Sequence, residues 1–286
     1  MTKRPLGPTV SQRIIGAELR MLREAAGLTC KEVSERVNFS EAKVSRIETA
    51  RNSVTPNDLK FLLDAYDVTA DKRAEFIELV KPRRRQKSWW NAYRDIVPER
   101  RWVYVRLEDE AEGLRNYETA FIPGLLQTAD YADAIMKVTS PEATAEVRQR
   151  RVDVRLARQQ VLTREFPVHL WAIIDEAALL RTKALPAAVA NEQFLHLVEA
   201  AKLPSVTIQV LPLSVGPHPA MDGAFTIIDF PDPAGQVVFL DSRTGGMYLE
   251  EDEEIRAYDQ DFDHLRAEAL GKKDSAALLE ALARDN

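Results

Sequence analysis

The chain has one cysteine, Cys30, among 286 residues, so no disulfide can form within it. That usage suits a reducing cytoplasm, the setting expected here. No apolar run approaches the roughly 20 residues that a membrane-spanning helix requires, so no membrane association is expected. The opening residues, MTKRPLGPTVSQR, carry no apolar signal-peptide core. Histidine is scarce: His169, His196, His218 and His264 stand far apart, and none forms a ligand pair with Cys30 at the spacing structural zinc needs. Gly-x-Ser-x-Gly elbows, Walker loops and paired metal ligands are missing too. The expectation is a non-enzyme with no cofactor. His218 with Asp222, in the breaker-rich run PLSVGPHPAMDG, is the best hydrolase candidate, and a solvated loop histidine is the plainer reading.

What the chain does have is charge of both signs, unevenly divided. The formal net charge is -6. Residues 1–87 hold 18 Lys and Arg against 12 Asp and Glu, and the remainder holds 21 against 33. A basic module joined to an acidic one fits a polyanion-binding head on a separate regulatory body. A basic linker alone, with Arg83, Arg84, Arg85 and Lys87, would skew the count in the same way.

The head reads as helices. A first helix opens at Thr9 or Ser11 and places Ile15, Leu19, Leu22 and Ala26 on one stripe, with Gly27 as its stop. Two short helices follow, over 30–37 and from Ser40 onward, with Val33 and Val37 inside the first and Val44 and Ile47 inside the second. Asn38 tolerates the left-handed turn between them, and Ser40 can accept a backbone N–H. This is the spacing of a helix-turn-helix, whose second helix enters the DNA major groove. Pro56 suits the start of a fourth helix with Leu59, Leu62, Leu63 and Tyr66 inside, and a fifth is expected over 71–80.

The run LRMLREAAGLTCKEVSERVNFSEAKVSRIETAR resembles the Cro/C1, or Xre, type of helix-turn-helix regulator. The resemblance implies a buried ion pair between Arg23 and Glu48, locking the first helix to the recognition helix. It places Glu41, Ala42 and Arg46 at base-edge positions. Arg can bond guanine bidentately, Glu can accept from cytosine, and an Ala methyl can touch thymine. Lys43, Ser45, Thr49 and Arg51 would meet phosphates, with Thr29 and Lys31 also at the DNA backbone. Lys43, Arg46 and Arg51 as a merely solvated face is the bland alternative. Two departures stand out: Ala50 occupies a position that is often Gly, and Cys30 one that is often a polar phosphate contact.

Residues 81–88, with KPRRRQK at their start, read as a basic linker between a head over 1–80 and a regulatory or dimerisation domain over 89–286. Trp89, Trp90, Tyr93 and Trp102 suit packing better than a ligand cage. Val103, Leu107, Ala111 and Leu114 fit a helix over 102–117. In FIPGLLQTADYA, Pro123-Gly124 turns the chain and Thr128 can cap a helix. A long helix over 142–163 carries Arg148, Arg151, Arg155 and Arg158 on one face. Four such cations make a candidate anion or partner surface, and pairing with nearby carboxylates is the alternative. Strands follow over 168–174, 206–211, 225–230 and 237–241, and helices over 189–201, 253–269 and 275–283.

The expected fold is thus an all-α five-helix head followed by an α/β or α+β domain with a small mixed sheet. From SWW onward, with LEDEA, FIPGLLQTADYA, RQRRVDVRLARQQVL, IIDEAALL, IQVLP and AFTIIDF, the chain resembles the uncharacterised domain that follows Xre-type heads in many actinobacterial regulators. That resemblance implies transcription control and a small partner protein, and no ligand or catalytic residue. The partners expected are double-stranded DNA, a second copy of the chain in a homodimer, and a small regulatory protein.

Overall fold

The computed structural model describes residues 10–52, 54–69, 73, 93, 95–96, 99–231, 234–242 and 246–284. The chain divides into two compact units, Met1–Ser88 with Phe230–Gly235 and Trp89–Asp229 with Gln236–Asn286. The basic linker over 81–88, the expected fifth helix over 71–80 apart from Arg73, and Trp89 and Trp90 lie outside the described residues.

Four described helices build the head: α1 Val10–Ala25, α2 Cys30–Val37, α3 Glu41–Glu48 and α4 Pro56–Ala65. Each boundary has a local cause. Gly27 takes φ 69 and ends α1, with the amide of Leu28 returning to the Arg23 carbonyl at 3.1 Å. Thr29 and Glu32 close a capping box on α2, and Asn38 ends it in the left-handed region at φ 55. Ser40 accepts from the amide of Lys43 to cap α3. Thr55 caps α4, with Pro56 in its first turn. Ile15, Leu19, Val33, Val44, Ile47, Leu59, Leu62, Leu63, Tyr66 and Val68 form one core.

Gly16 lets α1 come close to α3. A Cβ there would lie 2.7 and 2.8 Å from the carbonyl oxygens of Glu48 and Ile47. Both are backbone atoms, so the helices themselves would have to separate. Gly16→Ala should therefore destabilise the head by about 1–3 kcal/mol, although Ala is the better helix former by about 1 kcal/mol. Amide hydrogen exchange of α1 and α3 reads the effect, and slower exchange in the variant would contradict the close approach.

The second unit is an α+β domain. It contains α5 Glu99–Glu110, β1 Gly113–Glu118, α6 Ala129–Thr139, α7 Ala145–Arg158, β2 His169–Asp175, α8 Glu176–Lys183, α9 Ala187–Ala200 and β3 Val206–Leu211. It continues with β4 Phe225–Asp229, β5 Gln236–Leu240, β6 Met247–Leu249, α10 Asp252–Glu268 and α11 Lys272–Arg284. The strands form one six-stranded mixed sheet in the order β3-β2-β1-β4-β5-β6. β1, β2 and β3 are parallel, and β4, β5 and β6 pair antiparallel from β1 outward.

The helix expected over 102–117 is corrected. It ends at Glu110, and the rest is the central strand β1. Leu114 sits opposite Leu170 on β2 and Ile228 on β4. The spacing of Val103, Leu107 and Ala111 suits a helix, and Leu114 extends that stripe by accident. Gly113 breaks the helix, and pairing on both sides holds the following residues extended. The helix α8 and the short strand β6 were not expected from sequence.

One core of this unit holds Tyr117, Ile173, Leu211, Phe225, Ile227, Val238, Phe262 and Leu265. The edge of β3 is closed by α11, where the Ser275 hydroxyl accepts from the amide of Val210 at 3.0 Å.

Candidate nucleic-acid interface

Helix α3, the second of the two short helices around the Asn38 turn, is fixed from behind. Arg23 on α1 donates to Glu48 at the end of α3, from Nε at 2.9 Å to Oε1 and from Nη2 at 3.0 Å to Oε2. The Glu48 side chain is 3% exposed and that of Arg23 11%, so this pair works in a weakly screened medium. Two further groups complete it. The Tyr66 hydroxyl donates to Glu48 Oε1 at 3.1 Å, and the Cys30 thiol lies 4.0 Å from Oε2. Burial, the Glu48 charge and the hydrogen bond to it push the Tyr66 phenol far above its ordinary range. Burial and Glu48 also raise the Cys30 thiol. Both groups therefore stay protonated and act as donors. Arg23 also holds the α1–α2 turn, through Nη1 to the Leu28 carbonyl at 2.8 Å.

With its rear face fixed, α3 presents Glu41, Ala42, Ser45, Arg46 and Thr49 to solvent. Thr29, Lys31 and Arg51 are exposed as well. Several of these side chains have internal bonds. Arg46 Nε donates to the Ala42 carbonyl at 3.0 Å, and the Thr49 hydroxyl to that of Ser45 at 2.8 Å. The Thr29 hydroxyl is the α2 cap and also donates to Glu32. Lys43 departs most from the expected phosphate-facing set: its Nζ sits 2.7 Å from Asp58 Oδ1 on α4 and 3.6 Å from the Phe39 ring centroid.

Ala50 makes a left-handed turn of the kind that favours glycine. It adopts φ 56, and the amide of Asn52 reaches the Arg46 carbonyl at 2.8 Å. A non-glycine residue there costs about 1–2 kcal/mol, offset in part by a methyl buried to 7% exposure. Cys30, expected as a lost phosphate contact, packs instead against the buried ion pair. Asp58, Tyr66 and Gly16 were not singled out as site residues from sequence. Only their core-facing or turn-adjacent positions hinted at them, because their partners lie 15 to 32 residues away.

A family model described as a helix-turn-helix domain matches residues 14–76. Another, described as a domain of unknown function (DUF5753), matches residues 103–281, more than half of the chain. The chain belongs to this DUF5753 family. No curated protein and no solved structure matches it. The head carries the helix-turn-helix of a DNA-binding regulator, and among the described residues no helix is long and apolar enough to cross a membrane.

Within the DUF5753 region, the arginine helix is α7, and it engages its own domain. Arg148 donates to Asp133 at 3.3 Å and to the Ala143 carbonyl at 2.8 Å. Arg158 makes two 2.7 Å bonds to Glu108, whose side chain is 1% exposed. Arg155 donates to Gln127 Oε1 at 2.9 Å. Arg151 is half-buried, with no hydrogen bond or ion pair among the described residues. The FIPGLLQ turn lies against these guanidinium groups, and a Cβ on Gly124 would stand 3.4 Å from both Arg155 and Arg158. Gln127 and Gln193 hold that turn through the carbonyls of Ile122 and Leu126.

His218 does not meet Asp222 as a catalytic pair would. Its Nε2 is 3.2 Å from the Tyr117 hydroxyl, which lies 3.2 Å from Asp175 Oδ2 as its donor. Trp102 is half-buried on α5. Among the described residues no group of three His, Cys, Asp or Glu side chains could hold a metal ion.

Proposed function

We propose that this chain is a sequence-specific transcriptional regulator of the Cro/C1 (Xre) type. Its α3 enters the major groove, with Glu41, Ala42 and Arg46 at base edges. The carrying observation is the buried Arg23–Glu48 pair, which holds α3 by its rear face and leaves those three side chains outward. One helix-turn-helix reads only a few base pairs. The regulator therefore acts as a homodimer on two half-sites about 34 Å apart, with the second domain supplying dimerisation and reception of a signal.

A gel shift of the full chain on a duplex from its own promoter tests this. Arg46→Ala should weaken specific binding by about 1–3 kcal/mol, roughly five- to 150-fold. Equal binding by variant and wild type sinks the assignment of α3. Wild-type affinity should also fall steeply with added salt, as counterion release requires.

A second reading makes the DUF5753 domain chiefly a docking platform for a small protein. The acidic balance of residues 88–286, with 33 Asp and Glu against 21 Lys and Arg, supports it by favouring a basic partner. Co-purification of a small protein with the native chain is its test, and failure under several conditions counts against it. Catalysis is no part of the proposal, and turnover of a phosphodiester or ester by the second domain would overturn that.

A further inference from the structure

We propose that Asp58 competes with the DNA backbone for Lys43 and thereby sets the head's affinity for DNA. The inference rests on the DNA-binding reading above and adds an affinity-setting residue to it. Lys43 is the third residue of α3, inside the turn that carries Glu41 and Ala42. Glu41 and Ala42 are exposed, whereas Lys43 bends back toward α4 and is half-buried. Its ammonium bonds Asp58 Oδ1 at 2.7 Å and lies over the Phe39 ring. Phe39 is itself braced edge-on by Phe61 at 6.3 Å.

A carboxylate and a phosphate offer a lysine the same thing, an anionic oxygen acceptor. Lysine is a compact point charge on a four-carbon stem with three donors, so it can stay near Phe39 and exchange one acceptor for another. The Lys43 side chain is 35% exposed, open enough for a phosphate to approach. The exchange is opposed from the other side. The Asp58 side chain is only 17% exposed, so losing Lys43 would leave a partly buried carboxylate without its cationic partner. Binding DNA through Lys43 therefore begins by breaking a bond the free protein already has. An unpaired lysine in the same place would give tighter binding with a stronger salt dependence.

Asp58→Asn removes the competing charge and keeps the shape of the α4 N-terminus. The full chain, Asp58→Asn, Lys43→Ala and the double variant are titrated against the labelled promoter duplex at several salt concentrations, with far-UV circular dichroism melts as the folding control. Asp58→Asn should tighten binding about three- to tenfold near 0.15 M salt. It should also steepen the logarithmic salt dependence by roughly 0.9, the contribution of one phosphate contact. Lys43→Ala should weaken the Asp58→Asn protein several times more than it weakens wild type, because only there is the lysine free to serve. Equal effects of Lys43→Ala in both backgrounds would overturn the proposal, leaving a general charge effect. So would unchanged affinity in Asp58→Asn. Wild type that fails to bind the duplex at all would sink the DNA-binding reading and this inference with it, whereas binding by wild type with no effect at Asp58 sinks this inference alone.

Discussion

Arg23→Ala should cost the head about 3–5 kcal/mol, enough to unfold much of it and abolish the proposed DNA binding without any change on the exposed face of α3. The loss is large because it is asymmetric. Among the described residues, Glu48 would keep its buried position, 3% exposed, with the Tyr66 hydroxyl and the Cys30 thiol as its remaining side-chain partners. A neutral hydroxyl does not replace a guanidinium that donates from two nitrogens. Tyr66→Phe serves as the calibrating variant. It removes one donor to a charged group, worth about 1.5–3 kcal/mol, and leaves the ion pair whole. Amide hydrogen exchange on the full chain reads both variants unit by unit. Protection should fall across α1 to α4 in Arg23→Ala, less in Tyr66→Phe, and stay level in the sheet. A loss of protection under 1 kcal/mol in Arg23→Ala would mean that the pair behaves as a surface contact.

The second large effect concerns pH and the DUF5753 domain. Glu118 ends β1 and is half-buried. Burial pushes its carboxyl up to about 8, with nearby Arg155 opposing the shift. Burial and the charge of Arg158 in turn pull Arg155 down to about 10. The folded domain therefore holds a proton on Glu118 that the unfolded chain releases near pH 4.5. The stability this group contributes is complete below about pH 4.5. It falls as pH rises toward 8, and the full penalty persists above that. Glu118→Gln keeps the neutral shape and removes the titration. The stability gap between the variant and wild type should widen in the variant's favour from pH 4.5 to 8, by about 2–4 kcal/mol after allowing for partial exposure. Chemical denaturation across that range, taking variant minus wild type at each pH, isolates Glu118 from other titrating carboxylates. A flat difference would show that Arg155 neutralises Glu118 in the folded state.

Much of the fold was legible because it rests on short-range rules. Caps and stops sit within a turn of the helices they bound, so Gly27, Asn38, Ser40 and Pro56 marked boundaries that the structure keeps. The error at β1 came from the same rules. Val103, Leu107 and Ala111 fit the helical period, and Leu114 continued it although pairing with β2 and β4 makes it part of a strand. A strand buried between two neighbours takes its conformation from partners more than 50 residues away, and local periodicity carries no record of them.

The sequence by itself determined the helix-turn-helix, the division of charge between the two halves, the order of a helical head before a domain of mixed strands and helices, and the Arg23–Glu48 pairing through resemblance. Those features depend on local periodicity, composition or a contiguous pattern. Only the tertiary structure decided what each cation faces. It turned Lys43 to Asp58, placed Arg158 on Glu108 and Arg155 on Gln127, and pressed Gly16 against the end of α3. A side chain's charge is written in the sequence. Its partner is fixed by which polar atoms the packed elements bring within about 3 Å of it, and that depends on the packing of the whole core.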